Sequence, residues 1–135
     1  MGRKRSAGGI GASPASEDRC GLSLVKVARR VSRIYDACLE PAGIRITQFL
    51  AMTALKELGR GTLAELSQRL EVEQRTMARI VLSLQTAGLV RTERSSADRR
   101  RRLMELTRRG HRVLDKATPL WRAAQEQLEL QNSSD

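Results

Sequence analysis

Apolar residues recur every three or four positions along the first third of the chain, at Leu24, Val27, Ala28, Val31, Ile34, Tyr35 and Cys38. That spacing predicts one stripe of a helix over 22–39, with Lys26, Arg29, Arg30 and Arg33 on the other faces and Pro41 and Gly43 as its stop. Such a stripe covers the core of its own subunit or packs against a partner chain, and the spacing leaves both open. Thr47 reads as the N-cap of a second helix through Leu58, with Leu50, Ala54, Leu55 and Leu58 inward and Gly59 and Gly61 at its end. Thr62-Leu63-Ala64-Glu65 then places a hydroxyl three residues ahead of a carboxylate, a capping box that opens a third helix. Leu63, Leu66 and Leu70 face in, and Val72 plugs a tight turn. The helix that follows carries Met77, Ile80, Val81 and Leu84 inward and ends at Gly88, expected as a left-handed cap. Beyond it the period falls to two. Leu89-Val90-Arg91 leads into a hairpin, Arg94 to Arg102 forms its tip, and Leu103 to Leu106 returns. Thr107 caps a last helix to about Leu130, apolar at Val113, Leu114, Leu120, Trp121, Ala124 and Leu128, with a kink expected at Pro119.

Helix, turn, helix and basic hairpin make the expected fold mainly α with a small β-hairpin wing, a winged helix-turn-helix between flanking helices. This is the layout of a DNA-reading module. The expected boundaries are a disordered basic tail over 1–19, rich in Gly, Ala and Ser, one domain over 20–130 and a short tail over 131–135. Within the domain the DNA-binding lobe spans about 45–107, flanked by helices at about 22–40 and 108–130.

Charge sharpens this expectation. The 135 residues carry a net charge of +10, which points to a polyanionic partner. Only Lys4, Lys26, Lys56 and Lys116 among the 25 basic residues are lysines, and arginine is the side chain suited to bidentate phosphate and guanine contacts. Nine arginines between positions 91 and 112 face only Glu93, Asp98 and Glu105, a density that repels itself unless a polyanion neutralises it. On the helix after the turn, Gln74, Arg75, Thr76 and Arg79 have the chemistry of major-groove readers: Gln for adenine, Arg for guanine, Thr for a thymine methyl or a phosphate. In the hairpin tip, Arg94, Arg99, Arg100 and Arg101 are candidate DNA contacts. Asp98 among them suits a carboxylate that braces a neighbouring guanidinium.

The stretch from Gly43 to Gly110 resembles the multiple-antibiotic-resistance regulator (MarR) family. The matching marks are Gly43 with Thr47-Gln48-Phe49, Leu63-Ala64-Glu65-Leu66, Gly88-Leu89-Val90, Asp98-Arg99-Arg100, and Leu106-Thr107 with Gly110. The resemblance covers roughly residues 22–128. It implies a cytoplasmic prokaryotic transcription regulator of the nucleoid, a homodimer joined by its first and last helices on a palindromic operator of double-stranded DNA, with repression as the expected sense. By the same resemblance Asp98 orients the wing and Arg100 reaches the minor groove. A small aromatic effector would sit near Tyr35 and Phe49, and Cys20 stands about where peroxide-sensing relatives keep a reactive thiol. Two departures stand out: no further helix follows the one containing Trp121 up to Asp135, and Ser83 occupies a late recognition-helix position where a basic residue is common.

Other chemistry is not expected. Cys20 and Cys38 are too few for a disulfide framework or a zinc site. His111 stands alone among arginines. No phosphate-binding glycine loop, metal-spaced cluster or nucleophile–base pair is recognisable, so neither an enzyme nor a cofactor is expected. No apolar run reaches membrane-spanning length. The rival expectation is a shortened winged-helix protein that works mainly through a protein partner.

Overall fold

The computed structural model describes residues 14–94, 97 and 101–133. The elements run α1 (Pro14–Leu39), a 3-10 turn (Glu40–Ala42), α2 (Ile46–Leu58), α3 (Leu63–Leu70), α4 (Gln74–Thr86), β1 (Val90–Arg94), β2 (Arg102–Leu106) and α5 (Arg108–Ser133). Contacts divide the chain into Met1–Arg33 and Ile34–Asp135. In the first unit α1 begins at Pro14, whose fixed φ suits a first helical turn, so residues 14–19 are helical where a tail was expected. Leu24, Val25 and Val27 are all exposed. Cys20 and Cys38 both belong to α1.

In the second unit the core gathers around α2. Phe49, Ala51, Met52, Ala54 and Leu55 are buried, and α2 packs against α3, α4, α5 and β2. Met52 and Leu55 are fully enclosed, each stabilising the fold by about 1.5–3 kcal/mol. With more than half its circumference covered, α2 keeps only a narrow outward sector. Leu50 lies there at 40% exposure, which corrects the inward placement its spacing suggested. The N-cap is also displaced: α2 starts at Ile46, with Arg45 N–H donating to Gln48 Oε1 (2.9 Å) and Ile46 N–H to Asp36 Oδ1 (2.8 Å), so Thr47 is inside the helix.

The expected box at α3 is present: Glu65 N–H donates to Thr62 Oγ1 (3.2 Å) and Thr62 N–H to Glu65 Oε1 (3.0 Å). The strands pair antiparallel, Val90 with Leu106 through Arg94 with Arg102. A single bridge adds Gly61 to the hairpin through two backbone bonds with Met104 (3.0 and 2.8 Å). The last helix continues without a break past Pro119 to Ser133, three residues beyond the expected end.

One backbone crossing ties these parts. Gly88 (φ 75°) takes the left-handed conformation that turns the chain out of α4. Thr107 N–H then donates to Leu89 O (3.0 Å), its hydroxyl to Gly88 O (2.7 Å), and Gly110 N–H returns to Thr107 Oγ1 (3.0 Å). At Gly110 a Cβ would stand 2.1 Å from Leu89 O, a backbone atom that cannot swing aside. Gly110→Ala is therefore expected to cost about 3 kcal/mol, the upper end for overpacking. Thr62→Ala, which removes a cap alone, should cost about 1 kcal/mol. Urea denaturation of both variants checks the ranking, and an unchanged midpoint for Gly110→Ala would contradict it.

Candidate nucleic-acid interface

The helix-turn-helix begins at the α3 capping box and turns at Glu71, which holds a left-handed φ of 54°. Two hydrogen bonds close that turn, Glu71 N–H to Gln68 O (3.3 Å) and Val72 N–H to Ser67 O (3.0 Å). With α3 fixed, α4 buries Met77, Val81 and Leu84 and leaves its opposite side to solvent. Gln74, Arg75, Thr76 and Arg79 are all exposed, at the start of the helix, as sequence reasoning placed them. Helical spacing sorts them further. Arg75, Arg79, Leu82 and Thr86 recur at four, three and four residues and share one face, whereas Gln74 and Thr76 flank it. Leu82, 61% exposed in the middle of that face, was not anticipated. Its signal was available: a leucine out of register with Met77, Val81 and Leu84.

Beside α4 stands the hairpin. Thr92 on its inner side accepts a hydrogen bond from Gln85 Nε2 of α4, joining the two elements. Arg94, Arg101 and Arg102 are exposed at the described ends of the strands. Asp98, Arg99 and Arg100, the remaining wing candidates, lie outside the described residues. On the outer face part of the positive charge is already matched. Glu105 accepts from Arg91 Nε (2.7 Å) and from Arg60 Nε (3.1 Å), and Glu93 lies 3.6 Å from Arg91. These cations and anions form a local network, so the nine arginines counted in the sequence are not nine free charges. Arg101 approaches Glu65 at 3.9 Å, leaving its side chain 58% exposed. Among the described residues, Arg75 and Arg79 of α4 and Arg94 and Arg102 at the wing ends are exposed cations outside these ion pairs.

The remaining candidates fall elsewhere. Phe49 is buried and stacks on Trp121, with ring centroids 5.4 Å apart. It lines a groove of about 450 Å³ between α2 and α5, together with Leu50, Thr53, Leu114, Thr118 and Trp121. Tyr35, half-buried on α1, is not among the residues lining it. Cys20 lies in the first turns of α1, where side chains fall outside the described residues, and Cys38 Sγ is 3.9 Å from Gln127 Oε1. Among the described residues no cluster of His, Cys, Asp and Glu is arranged to hold a metal, and no helix is long and apolar enough to cross a membrane.

Residues 46–110 match the winged helix DNA-binding domain family. The HTH-type transcriptional repressor NicR of Pseudomonas putida is 30% identical over 109 residues, covering 81% of this chain and 69% of NicR. The transcriptional regulator MosR of M. tuberculosis, solved in complex with DNA, superposes with a TM-score of 0.72 at 34% identity, over 79% of this chain and 77% of MosR. E. coli MarR, solved as a cysteine-to-serine mutant with operator DNA, has a TM-score of 0.71 at 23% identity, over 81% and 79% of the two chains, and shows the shared fold. The chain belongs to the MarR family. As a MarR-family protein it is a DNA-binding transcriptional regulator of the winged-helix type, and its relatives are regulators rather than enzymes.

Two carboxylates in this lobe respond to pH. Hydrogen bonds from Thr62, backbone first and hydroxyl second, hold Glu65 below its ordinary 4.5, with Arg101 adding to the effect against desolvation. Glu105 is lowered likewise, chiefly by its hydrogen bond from Arg91 and then by Arg60. A lowered folded-state value means the stabilisation is fully present above 4.5 and is lost as pH falls through the folded values. Urea midpoints measured from pH 6 down to pH 3 should fall less steeply in the double variant Glu65→Gln, Glu105→Gln than in the wild type. Parallel curves would remove these two groups from the acid response.

Proposed function

We propose that this MarR-family protein represses transcription as a homodimer on a palindromic operator, with α4 in the major groove and the arginine-rich wing in the minor groove. The observation that carries the reading is the α4 face: Arg75 and Arg79, one turn apart, exposed and directly after the turn that projects the helix. Their spacing lets both reach neighbouring groove positions, and each bidentate base contact is typically worth ~1–3 kcal/mol of discrimination. The exposed apolar residues Leu24, Val25 and Val27 of α1 support a partner subunit, and a two-fold dimer places its recognition helices roughly 34–36 Å apart. NicR is a transcriptional repressor, which favours repression as the sense of control. In the wing, Arg100 is assigned to the minor groove, whose width rather than base pattern varies with A·T content, and Asp98 to bracing it.

A small aromatic compound is the proposed effector. One solved relative, BpsR of Bordetella bronchiseptica, has its DNA binding regulated by 6-hydroxynicotinic acid. Here the groove beside Phe49 and Trp121 offers aromatic and aliphatic walls of suitable size. A thermal-shift series with aromatic carboxylic acids should raise the melting temperature of the wild type and not of Trp121→Ala; no shift in either would leave a regulator without an aromatic effector.

The test of the proposal is selection of duplexes from a random-sequence pool, followed by a binding matrix. An inverted repeat should emerge. Arg75→Ala and Arg79→Ala should relax preference at half-site bases. Arg100→Ala should lower affinity and sensitivity to A·T-rich flanks while leaving base preference intact. Loss of the same base preferences by Arg79→Ala and Arg100→Ala would overturn the division of labour, and the absence of any selected sequence would favour action through a protein partner.

A further inference from the structure

Ser83 lies late on α4, to one side of the face that carries Arg75 and Arg79. Its hydroxyl does two things here. It accepts a hydrogen bond from Gln48 Nε2 of α2 (3.1 Å) and donates to Ile80 O within α4 (2.6 Å). Gln48 in turn spends its other amide atom on the start of α2, where Oε1 accepts from Arg45 N–H (2.9 Å). The next amide, Ile46 N–H, is held by Asp36 Oδ1 near the end of α1 (2.8 Å). Two side chains thus hold the start of α2, and one of them continues to the recognition helix.

The geometry points to Gln48 and Ser83 as a positioning strut that sets α4 against the N-terminus of α2, making this pair a determinant of operator specificity. The inference rests on the proposal that α4 reads bases. Apolar packing of Met77, Val81 and Leu84 holds α4 against the core, but it resists sliding and rotation about the helix axis weakly, because aliphatic contacts are non-directional. A hydrogen bond between helices is directional and weakens steeply as its angle opens. Gln48–Ser83 is a direct side-chain link of that kind from α2 to α4, and it acts on the flank of the reading face. Base contacts need placement within about 0.5 Å, which packing alone leaves undetermined. Asp36 extends the support, since a helix start already fixed to the end of α1 is a firm anchor for Gln48.

Gln48→Ala, Ser83→Ala and their double variant should be compared on two duplexes, the one most enriched from a random-sequence pool and a scrambled duplex of the same length and composition. Each single variant is expected to bind the selected duplex roughly 3- to 10-fold more weakly, equal to about 0.7–1.4 kcal/mol at 1.4 kcal/mol per tenfold. Binding to the scrambled duplex and the salt slope should not change. The double variant should be no weaker than either single, as expected for two ends of one link. Ser83→Thr, which keeps the hydroxyl, should retain wild-type specificity. Equal losses on both duplexes, or a slope flattened by ~0.9, would mean a lost phosphate contact and overturn the proposal. Additive losses in the double variant would overturn it as well. A second readout needs no DNA: amide hydrogen exchange across α4 of the free protein should accelerate in both single variants while α5 stays unchanged. Unchanged exchange in α4 would end the strut even if base reading by Arg75 and Arg79 stands. Conversely, failure of Arg75→Ala and Arg79→Ala to alter preference would remove the parent reading and leave the exchange result to judge the strut alone.

Discussion

The approach of Gly110 to the carbonyl of Leu89 is the constraint on which the presentation of the whole lobe depends. At this crossing the chain leaves α4, starts the wing, returns from it and enters α5, and no side chain fits between the two backbones. Thr107 occupies the centre, its amide and hydroxyl donating to consecutive carbonyls while the same hydroxyl receives Gly110 N–H. The polar backbone groups brought close by the crossing thereby gain partners, the condition for placing backbone so near backbone. As a result α4, the wing and the last helix share a single junction.

Around that junction, burial and charge divide the labour. The second helix, covered on more than half its circumference, is the platform against which α3, α4, α5 and β2 pack. Charge is handled at the periphery by pairing. Glu105 holds Arg91 and Arg60, and Glu65 caps α3 while standing near Arg101. The main consequence of these peripheral pairs is which cations they neutralise. Arg75 and Arg79 have no carboxylate among the ion pairs of the described residues, and they stand on the face that α4 turns to solvent.

Most of the fold was legible because periodicity and caps agree. Thr62 with Glu65, Gly88, and Thr107 each announce an element end through a local interaction that requires no knowledge of the rest of the chain. Leu50 and Thr47 were misplaced for the opposite reason. The inward face of α2 is set by four neighbouring elements, and its first turn is satisfied by Asp36, ten residues away from Ile46. Tertiary partners of that kind leave no periodic trace. The exposure of the candidate readers Gln74, Arg75, Thr76 and Arg79 was legible from their position after the turn. Leu82 on the same face went unassigned, since it falls outside the inward register of Met77, Val81 and Leu84 and has no polar chemistry to mark it. The pairing of Arg60 with Glu105 was equally hidden, since it depends on the Gly61–Met104 bridge that brings the α2–α3 connection beside the hairpin. The extent of α1 toward Pro14 was obscured by a composition poor in residues to bury.

In the proposed mode of action, charge brings this protein to DNA and the α4 face chooses the sequence. A net charge of +10 guarantees attraction to any duplex, so affinity alone decides nothing. The decisive quantity is the ratio of dissociation constants for a selected and a scrambled duplex, measured by fluorescence anisotropy at one physiological salt concentration. Specific regulators bind their sites at least ~10³-fold more tightly than non-specific DNA, and a ratio of that order is expected here. A ratio within tenfold of unity would contradict it, leaving a basic winged helix that grips DNA without reading it.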